Sequence, residues 1–307
     1  MKAIQYKDYG NSAVIAQVEV PAPSIQSGNE LLVQVKASGV NPIDIKIRMG
    51  QMKAARPVQM PFTPGGEIAG IIIAIGDQVT RFKVGDEVIA LTKTNGYAEY
   101  VTVNENFLVL KPQDLSFVEA ASIGVNIGTA QCVLFMAGKL EKGQRVLIQG
   151  GAGAAGGAMV QMAKAAGAYV IATASGKGVE LAKSLGADEV INYKLYDVTD
   201  FVNNVDLAVD TAGGEGQAKL FSILKQGGTL LSIVVPPSQE LAEQHKVKAS
   251  FVASNILAQT LENGIELIKN GIFKPVVSKI FKLSEAAIAQ DFLTAGGVNG
   301  KVVLTVD

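Results

Sequence analysis

The chain of 307 residues carries one cysteine, Cys132, and one histidine, His245. A single thiol forms no intramolecular disulfide, which excludes a disulfide-stapled secreted scaffold and makes a reducing, cytoplasmic setting the expectation. The same scarcity bears on metals. A tight zinc site takes three or four Cys, His or carboxylate ligands, with thiolate or imidazole dominant. No Asp-rich loop of calcium-binding spacing stands in for them. The expectation is a protein without a metal centre.

An excess of charge is missing as well. With 27 Lys plus Arg against 28 Asp plus Glu, the formal net charge is -1. Nothing draws such a chain to phosphate backbones or anionic lipid, so neither nucleic acid nor a membrane surface is the expected partner. The first eight residues lack the apolar stretch of a signal peptide, and apolar tracts such as 68–75 fall short of a bilayer span. A soluble chain is expected. What the sequence does have is 48% hydrophobic residues over a length that buries a sizeable core and suits two domains.

Up to about residue 120, short alternating apolar runs are broken by turn signals, the pattern of antiparallel strands. The runs cover 30–37, 67–75, 87–91 and 97–103, separated by Gly28-Asn29, Gly76-Asp77, Gly85-Asp86 and Asn95-Gly96. The period then changes. Apolar strands at 145–149, 169–174, 206–210, 229–235 and 249–253 alternate with helices such as 154–166 and 178–185, predicting a parallel sheet covered on both faces. From about 273, strands at 276–281 and 301–306 flank a helix at 284–295 that starts on Ser284 and Glu285. The reading is a barrel-like β domain made of 1–122 and 273–307, interrupted by a doubly wound α/β domain at 123–272.

The strongest chemical signal lies at the start of that second domain. The strand 145–149 runs into a helix through Gly150-Gly151-Ala152-Gly153-Ala154-Ala155-Gly156, which contains G-x-G-x-x-G at Gly151, Gly153 and Gly156. Glycine lets backbone N–H groups approach a pyrophosphate, and the positive end of the helix dipole faces that anion. A dinucleotide is the expected ligand; a bare strand-to-helix corner is the competing reading. An NAD site ends its second strand with an acidic residue that grips the ribose 2′-hydroxyl. Here that strand ends Ala174-Ser175-Gly176-Lys177, with no acid before Glu180. Ser175 and Lys177 suit a 2′-phosphate, and Tyr193 from the next loop can close the pocket, so NADPH is favoured over NADH.

Further motifs carry a family likeness: Gly39-Val40-Asn41-Pro42-Ile43-Asp44, Pro64-Gly65-Gly66-Glu67-Ile68-Ala69-Gly70, the segment 76–88, Gly96-Tyr97-Ala98-Glu99-Tyr100 and Gly300-Lys301-Val302-Val303-Leu304. With the glycine loop they span nearly the whole chain. The sequence resembles the zinc-independent quinone oxidoreductase branch of the medium-chain dehydrogenase/reductase superfamily. The resemblance implies a GroES-like β-barrel catalytic domain, a Rossmann domain that binds NADPH, and a homodimer joined by edge strands of the cofactor domain. Zinc alcohol dehydrogenases of the superfamily carry a metal-binding Cys at the position of Asn41 and a metal-binding His at the position of Gly66. Both ligands are replaced here, which speaks against an alcohol dehydrogenase. The stretch 41–48 is similar to that of enone and alkenal reductases, in which a lysine occupies the place of Lys46. The family pattern further implies that Thr129 reaches the cofactor near the nicotinamide and that Asn299 and Lys301 lie near the cleft. Val235 joins the expected cofactor-binding residues, and the apolar pocket candidates near Met49, Met52 and Val235 leave the identity of the substrate open.

The resemblance thus implies hydride transfer to a quinone or an α,β-unsaturated carbonyl compound, with Lys46 and Asn41 as donors to the developing oxyanion and Asp44 as a supporting residue. Asn41 before Pro42 is equally a turn starter, Asp44 a helix N-terminal or buried hydrogen-bonded residue, and Lys46 a surface lysine. Glu67 stays off this list. Cys132 reads as a small buried hydrophobe and His245 as a solvated surface residue. A non-catalytic NADPH-binding sensor or structural protein is the alternative function.

Overall fold

A computed structural model of the chain describes residues 1–306, so residue 307 of the expected discontinuous domain lies outside the described residues. The chain divides into two compact units. One comprises Met1–Val125, Leu257–Glu262 and the segment from Pro275 onward; the other comprises Asn126–Ile256 and Asn263–Lys274.

The first unit opens with β1 (Lys2–Gln5), β2 (Ala16–Glu19), β3 (Glu30–Val40), α1 (Pro42–Arg48), β4 (Glu67–Ile75), β5 (Glu87–Leu91), β6 (Tyr100–Asn104), β7 (Leu108–Leu110) and α2 (Phe117–Ala120). Along β3, Leu31, Val33 and Val35 are buried while the residues between them are half-buried, the period of two that one covered face imposes. From Ala37 to Val40 every residue is buried, so the strand ends covered on both faces where α1 begins. The expected strand 97–103 starts only at Tyr100. Tyr97 and Ala98 serve the chain's first strand instead: Ile4 N donates to Tyr97 O, and Ala98 bridges Ala3.

The chain continues through α3 (Gly124–Ala130) and a π-helical segment, Gln131–Ala137. The helical run Phe117–Ala137 is long and apolar enough to cross a bilayer, contrary to the expectation that no tract is, and most of it is buried inside the folded chain. Next come β8 (Arg145–Gln149), α4 (Ala154–Ala165), β9 (Tyr169–Ala174), α5 (Gly178–Ser184), β10 (Glu189–Asn192), β11 (Val205–Asp210), α6 (Gly216–Ile223), β12 (Leu224–Ser232), α7 (Gln239–His245), β13 (Lys248–Phe251) and α8 (Ala258–Lys269). The six strands are parallel in the order β10-β9-β8-β11-β12-β13. Counted from β8 this is 3-2-1-4-5-6, the doubly wound dinucleotide-binding order, whose direction reverses between β8 and β11.

Three details of this unit depart from the sequence reading. β10 is an additional strand, only four residues long and at the sheet edge. β12 runs from Leu224 to Ser232 rather than over 229–235, because the Ser232 hydroxyl accepts from Val234 N and Val235 N and bends the chain away. His245 is half-buried with its ring near Phe221, centroids 6.2 Å apart, rather than solvated.

The tail returns to the first unit as β14 (Val277–Lys282), α9 (Ala286–Thr294) and β15 (Lys301–Thr305). A short 3-10 turn at Leu283–Glu285 precedes α9, and Glu285 caps it by accepting from Lys282 N. The sheet order is β14-β15-β3-β4-β5-β7, with β6 also pairing β3. All its pairs are antiparallel except β14 with β15, which α9 connects.

Candidate functional site

The glycine loop joins β8 to α4 at the point where the sheet reverses its strand order, the place where doubly wound sheets bind ligands. Gly150 lies at φ +80°, and its N–H donates to Thr173 Oγ1 at 3.1 Å, while Gly151 N donates to Thr173 O at 3.0 Å. These bonds pin the loop to β9. A Cβ on Gly156 would stand 2.1 Å from Gly150 O, so only glycine lets the helix pack this closely on its own loop. Gly153 is the N-cap and brings no side chain to satisfy the first turn. The N–H groups of Ala154, Ala155 and Gly156 are the donors that no intrahelical bond reaches, and they lie at the positive end of the helix dipole. A pyrophosphate fits this arrangement.

Beside the loop, β9 ends at Ala174, and Ser175 Oγ donates to Tyr193 OH at 3.0 Å. Tyr193 is 56% exposed, and its backbone N–H reaches Ala174 O across the β9–β10 edge. Lys177 is exposed at the N-cap of α5. Hydroxyl, phenol and ammonium thus project from adjacent loops where an NAD site would place an acid. This donor set, free of carboxylate before Glu180, suits a 2′-phosphate. Thr129 is buried in α3, and Val235 is exposed just beyond β12.

The second cluster lies in the other unit and is fully internal. Lys301, the first residue of β15, places Nζ 2.5 Å from Glu67 Oε1 and donates to Asn41 Oδ1 at 2.6 Å. Asn41 Nδ2 donates to the same Glu67 Oε1 at 3.0 Å, and Val125 N donates to Glu67 Oε2 at 2.7 Å. Two expectations change here. Lys301, expected near the cleft among the cofactor-binding residues, is buried, and its ammonium faces Glu67 and Asn41. Asn41 is not available as an oxyanion donor, because its amide group is committed to Glu67 and, at 3.4 Å, to Gly39 O. Asn299, two residues earlier, is half-buried and belongs to the same unit.

Asn41 is also the N-cap of α1, yet Asp44 does the capping: its Oδ2 accepts from Asn41 N at 3.0 Å and from Tyr97 OH at 3.1 Å. Burial pushes the Asp44 carboxyl up to about 6, against these hydrogen bonds and the Lys301 charge. The same burial, with Asp44 beside it, holds the Tyr97 phenol well above its ordinary value. At the far end of α1, Arg48 Nε donates to Gln290 Oε1 at 2.7 Å and its guanidinium reaches Gly10 O. A seven-residue helix has little stability of its own, so these anchors at both ends hold it in place. Half-buried Lys46 stands on this helix.

Comparison with known proteins decides the family. Residues 27–113 match the alcohol dehydrogenase GroES-like domain, and residues 185–304 match the family described as zinc-binding dehydrogenase. The chain is 34% identical to 2-methylene-furan-3-one reductase of Solanum lycopersicum, over 99% of this chain and 79% of that protein. It is 32% identical to the chloroplastic NADPH-dependent alkenal/one oxidoreductase of Arabidopsis thaliana, with the same coverage. The solved quinone oxidoreductase of Coxiella burnetii superimposes with a TM-score of 0.91 at 31% identity, covering 100% of this chain and 99% of that one. The chain belongs to the quinone oxidoreductase branch of the medium-chain dehydrogenases/reductases.

For a medium-chain dehydrogenase/reductase matched by a family described as zinc-binding, the donor set is sparse. Among the described residues no group of three or more His, Cys, Asp and Glu side chains could hold a metal ion. Where Asn41, Glu67 and Lys301 meet, the Lys301 ammonium is paired with the Glu67 carboxylate. Sequence reasoning set Glu67 aside, although it is the hub of this cluster. It also missed Thr173, which pins the glycine loop, and Asp210, which closes β11 and accepts from four donors. An acid ending a strand just before Gly213-Gly214 is a readable signal for the last of these.

Proposed function

We propose that this protein is a metal-independent NADPH-dependent reductase of quinones or α,β-unsaturated carbonyl compounds, working as a cytoplasmic homodimer with no nucleic-acid or membrane partner. The observation that carries the cofactor reading is the Ser175–Tyr193 pair with Lys177 beside an uncapped helix N-terminus, a set that selects a dinucleotide with an extra phosphate. The relatives that reduce furanones, alkenals and enones by name support the substrate class, and the solved quinone oxidoreductase supports quinones.

Backbone N–H groups of Ala154, Ala155 and Gly156 would hold the pyrophosphate, and Ser175, Lys177 and Tyr193 the adenosine-side phosphate. Thr129 and Val235 are assigned to the nicotinamide side. Bound there, NADPH supplies a hydride for the β-carbon of an enone. The electron pair displaced from the double bond collects on the carbonyl oxygen, where Lys46 donates a hydrogen bond and offsets the charge. A proton from water completes the α-carbon. Asn41 and Asp44 act indirectly, by fixing the helix that carries Lys46.

The test is a panel of short enones, alkenals and quinones with NADPH or NADH, run with and without a chelator. Consumption of NADPH in preference to NADH, untouched by the chelator, is the expected result. Loss of activity on chelation overturns the metal-independent reading.

A further inference from the structure

Asp210 ends β11, is completely buried, and accepts four hydrogen bonds from neutral donors. Oδ1 takes Ala212 N at 2.9 Å and Gly213 N at 2.6 Å; Oδ2 takes Gln217 Nε2 at 2.8 Å and the Ser232 hydroxyl at 2.9 Å. Two of these partners reach onward to the next loop. Ser232 Oγ accepts from Val234 N and Val235 N, and Gln217 Nε2 also donates to Val235 O at 3.1 Å. One carboxylate therefore ties the turn after β11, in which Gly213 and Gly214 adopt φ of +71° and +70°, to the turn after β12.

These two turns leave the carboxyl ends of the strands in the second half of the sheet. The pyrophosphate loop follows β8 and the adenosine-side groups follow β9, so the second mononucleotide half of a dinucleotide extends over β11 and β12. We propose that Asp210 is the positioning residue for the nicotinamide half, setting both turns through its four hydrogen bonds without touching the cofactor itself. The inference rests on the NADPH reading above. A neutral amide at this position cannot do the same: an Asn Nδ2 would present hydrogens to a pair of donors, and one of the two turns would lose its anchor.

The test is a calorimetric titration of wild type and Asp210→Asn with NADPH and with adenosine 2′,5′-bisphosphate, which contains only the adenosine end. The expected result is NADPH weakened by about tenfold or more in the variant, with the bisphosphate held within about twofold of wild type. Unchanged NADPH affinity, or equal loss of both ligands as a general unfolding would give, overturns the proposal. Should Asp210→Asn not fold, Ser232→Ala removes one donor and the support of Val235. It is expected to weaken NADPH by about threefold and spare the bisphosphate, and no difference between the two ligands contradicts the proposal. Wild-type protein that binds neither ligand overturns the cofactor reading itself, an outcome distinct from a variant that binds both like wild type.

Discussion

Lys301 Nζ lies 2.5 Å from Glu67 Oε1, with side chains 3% and 0% exposed. The pair spans the sheet across β3, which runs between β15 and β4. Its geometry is completed by Asn41, whose carbonyl oxygen faces the ammonium and whose amide nitrogen faces the carboxylate. The pair thereby fixes the amide's orientation and the start of α1.

Removing one member leaves the other charge buried and unmatched. Glu67→Gln and Lys301→Met should each destabilise the protein by about 3–5 kcal/mol, while the double substitution should recover much of that loss, because a neutral pair leaves no buried ion uncompensated. Urea denaturation of the four proteins measures the coupling. Strictly additive losses would show that the two side chains act independently.

Asp44 gives a pH dependence of definite sign. Its folded value of about 6 lies above that of a carboxyl in the unfolded chain, so the native state holds the proton more tightly between about pH 4 and 6. Its contribution is therefore most favourable below that window and falls as pH rises through it, by on the order of 3 kcal/mol. Denaturation midpoints of wild type and Asp44→Asn at pH 4.5 and 7.5 should differ in slope. The variant gains relative to wild type as pH rises, on top of a constant loss from weaker bonds to Asn41 N and Tyr97. Parallel pH profiles would exclude Asp44 as the titrating group.

Lys177 should discriminate between cofactors. Lys177→Ala removes one charge-assisted contact to the 2′-phosphate, worth roughly 1.5–3 kcal/mol, or about ten- to hundredfold in NADPH affinity, while NADH binding stays as it was. Fluorescence titration with both cofactors reads this directly. A similar loss for both would place the lysine elsewhere than at the phosphate.

At Gly156 the added methyl of alanine meets the Gly150 carbonyl at 2.1 Å, a backbone atom that cannot swing aside. Gly156→Ala should lose about 1–3 kcal/mol of stability and open the loop enough to weaken NADPH. Chemical denaturation and NADPH titration test the two effects, and wild-type affinity in the variant would mean that the loop does not carry the pyrophosphate.

Lys46→Met should lower turnover by about a hundredfold, the usual loss for one oxyanion donor, with NADPH affinity unchanged. Steady-state kinetics alongside the titration separate these quantities. Turnover equal to wild type would remove Lys46 from the chemistry.

The cofactor-binding residues were legible in the sequence because their signals are local. Gly151, Gly153 and Gly156 lie within one strand-turn-helix, and Ser175 and Tyr193 leave neighbouring strands of one βαβ unit. The internal cluster was not legible, since Asn41 and Lys301 are 260 residues apart and meet only through the pairing of β3 with β15. A lysine at the start of a β-strand gives no hint that its ammonium turns inward to a carboxylate. β10 escaped notice because four half-buried residues at a sheet edge carry little hydrophobic pattern.

Every role assigned above depends on hydride delivery from NADPH to a conjugated carbonyl compound. The most direct measurement is turnover of a short enone with NADPH deuterated at the transferring position, followed by mass spectrometry and NMR of the product. The expected product carries one deuterium on the former β-carbon and solvent hydrogen on the α-carbon. Unconsumed NADPH across enones and quinones, or an enone product without deuterium at the β-carbon, would contradict it.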